Sequence, residues 1–509
     1  MDPGTQEKSN RLTGPGIRSI ARNAFFLMGS HWVNIAIRLC YVVFLARWLG
    51  PELYGLFNYA MSWYLVMLPL AGLGLGIIMG REIPRNPDRR SDVLSGTFSL
   101  RVISSAFCAL LCALSGLLLE ENPEARRVLL VFSTALMGRS MAYWASSAFT
   151  AFESSQYILL FHSIFRFAEL LFSVTCILLG GGLLGLSLIH SLSWWAEAMF
   201  SLLWITKSFS PVAFRVRKKE LANYFSRGLL LGIFALSYAF VLQGPLILYR
   251  YIAGLGPDLG QLALAMQALI LLASLPGFLT AGALPVLSRS ILRGDGKARF
   301  FTESTIRVTI IAGTALGLTG LAVLPWFVEK IFGPSYGNAG SLLGWTLWFL
   351  VPVAVNTMIR GVFQARGEYA VPTLFSLAGA SVLLLVIYPA ISLMGPAGVI
   401  GALGLALLVE TAGLVKAARQ AVHLDIRTTF LKPFLTALAA AVVFLLGSEY
   451  PVAALPASMA VLLAGTVFLR LLSPEEIFAA RHVFRSFSSL AKEEESGEPG
   501  QPSSGKSRP

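Results

Sequence analysis

Charge is what this 509-residue chain has least of: Asp, Glu, Lys and Arg make up 13% of it, about half the share of a soluble protein. Acids are scarcer than bases, 27 against 40, and there are only five histidines. The four cysteines, Cys40, Cys108, Cys112 and Cys176, all lie in apolar stretches. Cys108 and Cys112 would share a helix face, but no neighbouring His or further Cys completes a metal site. These shortages exclude a disulfide scaffold, leave no metal site or cofactor to expect, and argue against a soluble enzyme. Long polar loops are missing too. The longest internal one, 207–227, is too short for a nucleotide-binding domain.

What is present is apolar: 55% of the residues are hydrophobic. A window of about twenty residues, the length that crosses a bilayer, predicts an all-α polytopic membrane protein with fourteen spans. They run near 24–46, 55–80, 93–119, 128–148, 157–179, 183–206, 228–249, 260–284, 305–328, 339–364, 371–393, 396–415, 433–448 and 452–469. Residues 1–16 are polar and rich in Gly and Pro, and the first apolar run is long enough to stay as a span, so no cleavable signal peptide is expected. The tail, 473–509, is expected to be largely disordered, with its acidic run Glu493–Glu495 followed by Pro, Gly and Ser.

Basic residues orient this map. With the N-terminus inside, 30 of the 40 fall in cytoplasmic segments, five in outer loops and five within spans. Such a bias predicts cytoplasmic termini in a cell membrane. The net charge of +13 faces anionic lipid along these loops and needs no nucleic acid.

The five intramembrane bases are Arg38, Arg101, Arg139, Arg166 and Arg360. An arginine at the bilayer centre costs at least about 2.5–3.5 kcal/mol on insertion scales, so such residues face a protein interior or a watery cavity. The same stretches hold three acids, Glu169, Glu197 and Glu410. The excess of positive charge points to translocation of something anionic.

A short motif recurs. Gly50-Pro51-Glu52-Leu53 follows the first span, and Gly256-Pro257-Asp258-Leu259 follows the seventh. With the same offset Leu56 meets Leu262 and Leu65 meets Leu271, which suggests two duplicated six-helix units. Parallel repeats of this kind bind substrate between their lobes.

The stretch Ala46-Arg47-Trp48-Leu49-Gly50-Pro51-Glu52-Leu53-Tyr54-Gly55-Leu56 resembles the signature after the first helix of polysaccharide flippases. These are the O-antigen (Wzx-type) branch of the multidrug/oligosaccharidyl-lipid/polysaccharide (MOP) exporter superfamily. Phe332-Gly333-Pro334-Ser335-Tyr336 and Gly395-Pro396-Ala397-Gly398 are similar to that family's later turns. The resemblance runs over about 17–470 and implies two pseudo-symmetric six-helix lobes in a MATE-like V, plus two C-terminal helices. On that plan 1–23 is a cytoplasmic segment and 24–206 the N-lobe. A basic linker follows at 207–227, then the C-lobe at 228–415, the last two spans with their preceding loop at 416–472, and the tail at 473–509.

The resemblance further implies alternating access for a polyprenyl-pyrophosphate-linked oligosaccharide, turned from the cytoplasmic to the outer leaflet and driven by a coupling cation, H+ or Na+. Pyrophosphate suits arginine, whose planar fork donates in pairs, so Arg38, Arg139, Arg101 and Arg166 are the expected cationic cavity. Arg38 and Arg139 lie too deep to snorkel; Arg360 is expected to snorkel to the interface. Arg166 and Glu169, spaced i,i+3, make either an internal ion pair or part of the site. Glu197 and Glu410 could answer an arginine from another helix or, with Glu169, bind the coupling cation. His31, His162 and His190 suit helix-to-helix hydrogen bonds better than proton relay. Aromatic residues such as Trp32, Tyr41, Trp63, Tyr64, Trp144, Trp194 and Trp195 could stack on sugars, though interfacial belts explain most of them. Gly244 and Pro245 in the seventh span are a kink that is either static or a hinge.

Three other functions compete. A multidrug exporter of the same superfamily handles largely cationic compounds, which an arginine-rich cavity fits poorly. The resemblance to a lipid II flippase would predict bases in the second and eighth spans, and neither contains one. A glycan polymerase or ligase would need a substantial outer loop, and these are around ten residues or fewer.

Overall fold

The computed structural model describes residues 15–293 and 296–472, and all of its regular structure there is helical. The N-terminal segment before residue 15 and the tail from 473, where disorder was expected of the tail alone, lie outside the described residues. Fifteen α-helices follow one another among the described residues. They are α1 Pro15–Gly72, α2 Leu75–Arg85, α3 Arg90–Leu119, α4 Pro123–Ala151, α5 Gln156–Leu178, α6 Leu183–Ser208, α7 Lys218–Ala253, α8 Pro257–Arg293, α9 Lys297–Phe332, α10 Gly337–Leu347, α11 Leu350–Arg366, α12 Ala370–Met394, α13 Pro396–Val422, α14 Lys432–Leu446 and α15 Pro451–Phe468.

Twelve helical stretches among the described residues are long and apolar enough to cross a membrane. The first of these, Gly29–Arg85, contains the non-helical Gly50 and so two of the expected spans; α6, which carries His190 and Glu197, falls outside the twelve. Each of the fourteen expected spans therefore coincides with a helix or a helix pair. Helices α1–α6 precede the 209–217 loop as one lobe and α7–α13 follow it as the other, and α14 and α15 pack on each other and against α9.

The Gly-Pro turns are built as their chemistry dictates. Gly50, Gly333 and Gly395 have φ of 69°, 98° and 56°, a region that costs a side chain but not glycine. Each is followed by a proline that opens the next segment, where its missing N–H is no loss. In the second copy of the repeat the positive φ moves to Gly254, at 93°, two residues before Gly256. Asn122 caps α4, its side-chain oxygen accepting from the Glu124 and Ala125 amides at 2.9 and 3.0 Å.

Two of the expected spans are broken. The second breaks at Leu73 and Gly74, with φ of 45° and 59°. There α7 crosses so closely that a Cβ on its Gly228 would stand 2.2 Å from the Leu73 carbonyl oxygen. The tenth breaks between α10 and α11, placing Pro352 in the first turn of the new helix, where proline is tolerated. The seventh starts early: α7 begins at Lys218, so the second half of the expected 207–227 linker is helical.

The two motif copies meet. A Cβ on Gly260 would lie 1.7 Å from the Pro51 carbonyl oxygen, and one on Gly55 would lie 2.6 Å from the Gly260 amide nitrogen. Around this crossing the lobes are tied at one end. Tyr59 donates to Tyr251 at 2.9 Å, Ser62 donates to Gln243 at 3.0 Å, and Tyr336 donates to the Ala46 carbonyl at 3.0 Å. Arg250 pairs with the buried Glu120 at 2.6 Å.

Candidate functional site

A cavity of about 370 Å³ lies between the lobes, lined from α1, α4, α5, α6 and α8. Its floor toward the tied end is Tyr54 and Asn58, and its far wall includes His31 and Asn34. Three of the arginines line it, Arg38, Arg139 and Arg166, against one carboxylate, Glu169.

The three arginines differ in what they touch. Arg166 is buried and carboxylate-saturated: it pairs with Glu169 on its own helix and with Glu197 of α6 at 3.1 Å, and it donates to Ser193 at 3.0 Å. Its guanidinium also lies 3.7 Å from the centre of the Trp194 ring. Arg139 is half-buried and touches no carboxylate. It donates to Tyr64 at 2.8 Å and to Tyr143 at 2.8 and 3.1 Å, and it stands over Trp194 at 4.6 Å. Arg38 is half-buried and reaches across the lobes to the Gln267 side-chain oxygen of α8, at 2.6 Å. Two guanidiniums therefore face the cavity with only neutral partners among the described residues.

Histidines extend the network. His190 meets Glu169 at 2.6 Å through Nδ1 and Tyr64 at 2.8 Å through Nε2, while His162 bonds Glu197. A chain of contacts thus runs from His162 through Glu197, Arg166, Glu169, His190 and Tyr64 to Arg139. Both carboxylates are bound by an arginine and a histidine, an arrangement that holds the α4, α5 and α6 side chains in fixed geometry.

The other expected site residues sit elsewhere. Arg101 is not brought to the cavity: it is buried, donates to the Ser140 carbonyl at 3.0 Å, and lies against Gly72, where a Cβ would be 2.7 Å from its Nη1. Arg360, expected to snorkel, is buried in the C-lobe and paired with Glu410 of α13, which also accepts from Ser376 at 2.5 Å. That pairing removes the reason to reach the interface, because an opposite charge is at hand inside. Gly244 and Pro245 are buried within α7, which runs on through them. Trp32 is more than half exposed and does not line the cavity. Gln267, Tyr143 and Asn58 were not anticipated; an amide inside an apolar helix was the one sign of the first.

A family model described as polysaccharide biosynthesis protein matches residues 20–291, more than half of the chain. The chain belongs to that family. No curated protein matches it in sequence. Among solved structures, the lipid II flippase MurJ in an inward closed conformation superposes with a TM-score of 0.68 at 15% identity, covering 88% of this chain and 99% of that one. An inward-facing multidrug resistance MATE family transporter gives 0.60 at 15% identity, over 77% and 94%. A MOP superfamily transporter from Pyrococcus furiosus, described as having a binding pocket of reversed polarity, gives 0.54 at 15% identity, over 80% and 96%. At such identity these likenesses establish the fold of this polysaccharide biosynthesis protein.

Proposed function

We propose that this protein is a membrane transporter that turns a polyprenyl-pyrophosphate-linked oligosaccharide from the cytoplasmic to the outer leaflet by alternating access. One observation carries the reading: Arg38 and Arg139 face the inter-lobe cavity with no carboxylate partner among the described residues. A buried charge without a counter-charge is costly, so a site that keeps two of them is built for an arriving anion. The polyprenyl tail can stay in lipid while the head group crosses. Family membership favours a glycan cargo over a drug, and the same two cations would repel cationic drugs. The superposition on a lipid II flippase is compatible with this, because a fold shared at 15% identity does not specify cargo.

The Arg38→Ala, Arg139→Ala double variant should accumulate lipid-linked oligosaccharide on the cytoplasmic leaflet in cells lacking the native protein. Each lost charge-assisted hydrogen bond is worth about 1.5–3 kcal/mol, about tenfold or more in affinity. Arg→Lys should restore transport only in part, since ammonium lacks the paired fork. Full transport by the double variant at normal protein level would refute the reading.

Orientation follows from the distribution of bases, which puts both termini and the 209–217 loop in the cytoplasm and the tied end outside. In a cysteine-free background, Val216→Cys should be protected from an impermeant thiol reagent in intact cells and Asn338→Cys should react. Both sites are solvent-exposed. Labelling of both, or the reverse pattern, would overturn the topology.

A further inference from the structure

A second cavity, of about 460 Å³, lies on the C-lobe side of α8 and shares Ile270 and Ser274 with the cationic one. Its chemistry is different. Phe234 and Tyr238 of α7 supply aromatic walls, and Thr357 and Gln364 of α11 supply a hydroxyl and an amide. Its charged wall residue, Arg360, is neutralised: Glu410 and Ser376 hold Nη2, and the guanidinium stands 4.4 Å from the Tyr238 ring centre and 5.2 Å from that of Phe234. Leu242, Ile270, Ala273 and Leu284 make the rest of the wall largely apolar, so it offers a few hydrogen bonds among apolar faces, with no net charge.

Between the two cavities the α8 wall is low. Ala273, Ser274 and Gly277 face the second cavity, and a Cβ built on Gly277 would meet nothing within 4 Å among the described residues. A ligand spanning both spaces would join an anionic group to an uncharged one that presents apolar faces together with a few hydrogen-bonding groups. A purely apolar chain would cover the Gln364 amide without replacing its hydrogen bonds. The volume falls within the range of sites for small organic ligands.

Resting on the reading that Arg38 and Arg139 hold pyrophosphate, we infer that this second cavity is the subsite for the sugars nearest the pyrophosphate, and that it selects uncharged sugars. Gln364 and Thr357 bond their hydroxyl or amide groups, and the Phe234 and Tyr238 walls cover their apolar faces. The neutral Arg360–Glu410 pair gives a uronic acid nothing to gain, since Arg360 is already committed to a carboxylate.

The test measures binding of two probes to the purified full-length protein in lipid nanodiscs. One is undecaprenyl pyrophosphate; the other is the same lipid carrying a disaccharide of N-acetylglucosamine. Two or three added hydrogen bonds should tighten binding of the glycosylated probe about tenfold or more. Gly277→Leu, which fills the subsite from an open helical position, and Gln364→Ala should each erase or sharply reduce that increment while leaving bare undecaprenyl pyrophosphate bound as before. Replacing the terminal sugar of the second probe by glucuronic acid should also reduce the increment. No increment in the wild type, or an increment that survives Gly277→Leu, overturns the subsite. Equal weakening of both probes by Gly277→Leu would assign the space to the prenyl tail and overturn it too. Arg38→Ala, Arg139→Ala separates the underlying reading: it should weaken both probes. If it weakens neither while Gly277→Leu still removes the increment, the pyrophosphate assignment fails and the sugar subsite stands.

Discussion

Gly260→Ala is expected to be among the most damaging single-methyl additions in this protein. The added carbon would sit 1.7 Å from the Pro51 carbonyl oxygen and 2.4 Å from its carbonyl carbon. Those are backbone atoms at the start of a helical segment, so no side-chain rotation relieves the clash. The lobes would have to part, and parting breaks the Tyr59–Tyr251 and Ser62–Gln243 bonds and separates Tyr336 from the Ala46 carbonyl. Overpacking of this kind costs about 1–3 kcal/mol even where side chains can shift; here the upper end or beyond is expected. Purified Gly260→Ala should melt well below the wild type. Gly80→Ala is the control, because a Cβ there meets nothing within 4 Å and the residue is helical. It should leave the melting temperature unchanged or raise it slightly. Equal melting of the two variants would show that the crossing does not hold the lobes together.

The second large effect is expected from Arg166→Leu. Removing this guanidinium leaves Glu169 and Glu197 buried, with only His190 and His162 to answer them. Breaking a buried ion pair from one side costs about 3–5 kcal/mol, because the stranded charge has lost its solvent as well as its partner. Adding Glu169→Gln and Glu197→Gln to Arg166→Leu should recover much of the loss, since no net charge is then stranded. Thermal unfolding of the single, double and triple variants in detergent would measure the coupling. If the carboxylate substitutions only add further loss on top of Arg166→Leu, the three groups do not act as one charge-balanced unit.

Much of this arrangement was legible from spacing and depth. Fourteen spans, the Gly-Pro turns and the depth of Arg38 and Arg139 all rest on local pattern, which a bilayer makes unusually strict. The i,i+3 spacing of Arg166 and Glu169 likewise announced a pair. Partners from distant helices were out of reach. Nothing in the sequence says that Arg360 would find Glu410, fifty positions on, nor that Gln267 would stand opposite Arg38. Arg101 was misassigned to the cavity for the same reason: its fate depends on a carbonyl at Ser140 and on the room left by Gly72. The break at Leu73 and Gly74 is also tertiary, since it lies where α7 passes within touching distance.

The crossing of Gly55 with Gly260 has a consequence in symmetry. The two glycines belong to corresponding turns of the two halves, so the contact joins a surface to its own counterpart, equivalent to within a residue. That is the geometry of an isologous interface, in which one patch is its own partner. Bulk at either glycine presses on both halves at once, and neither can yield without the other.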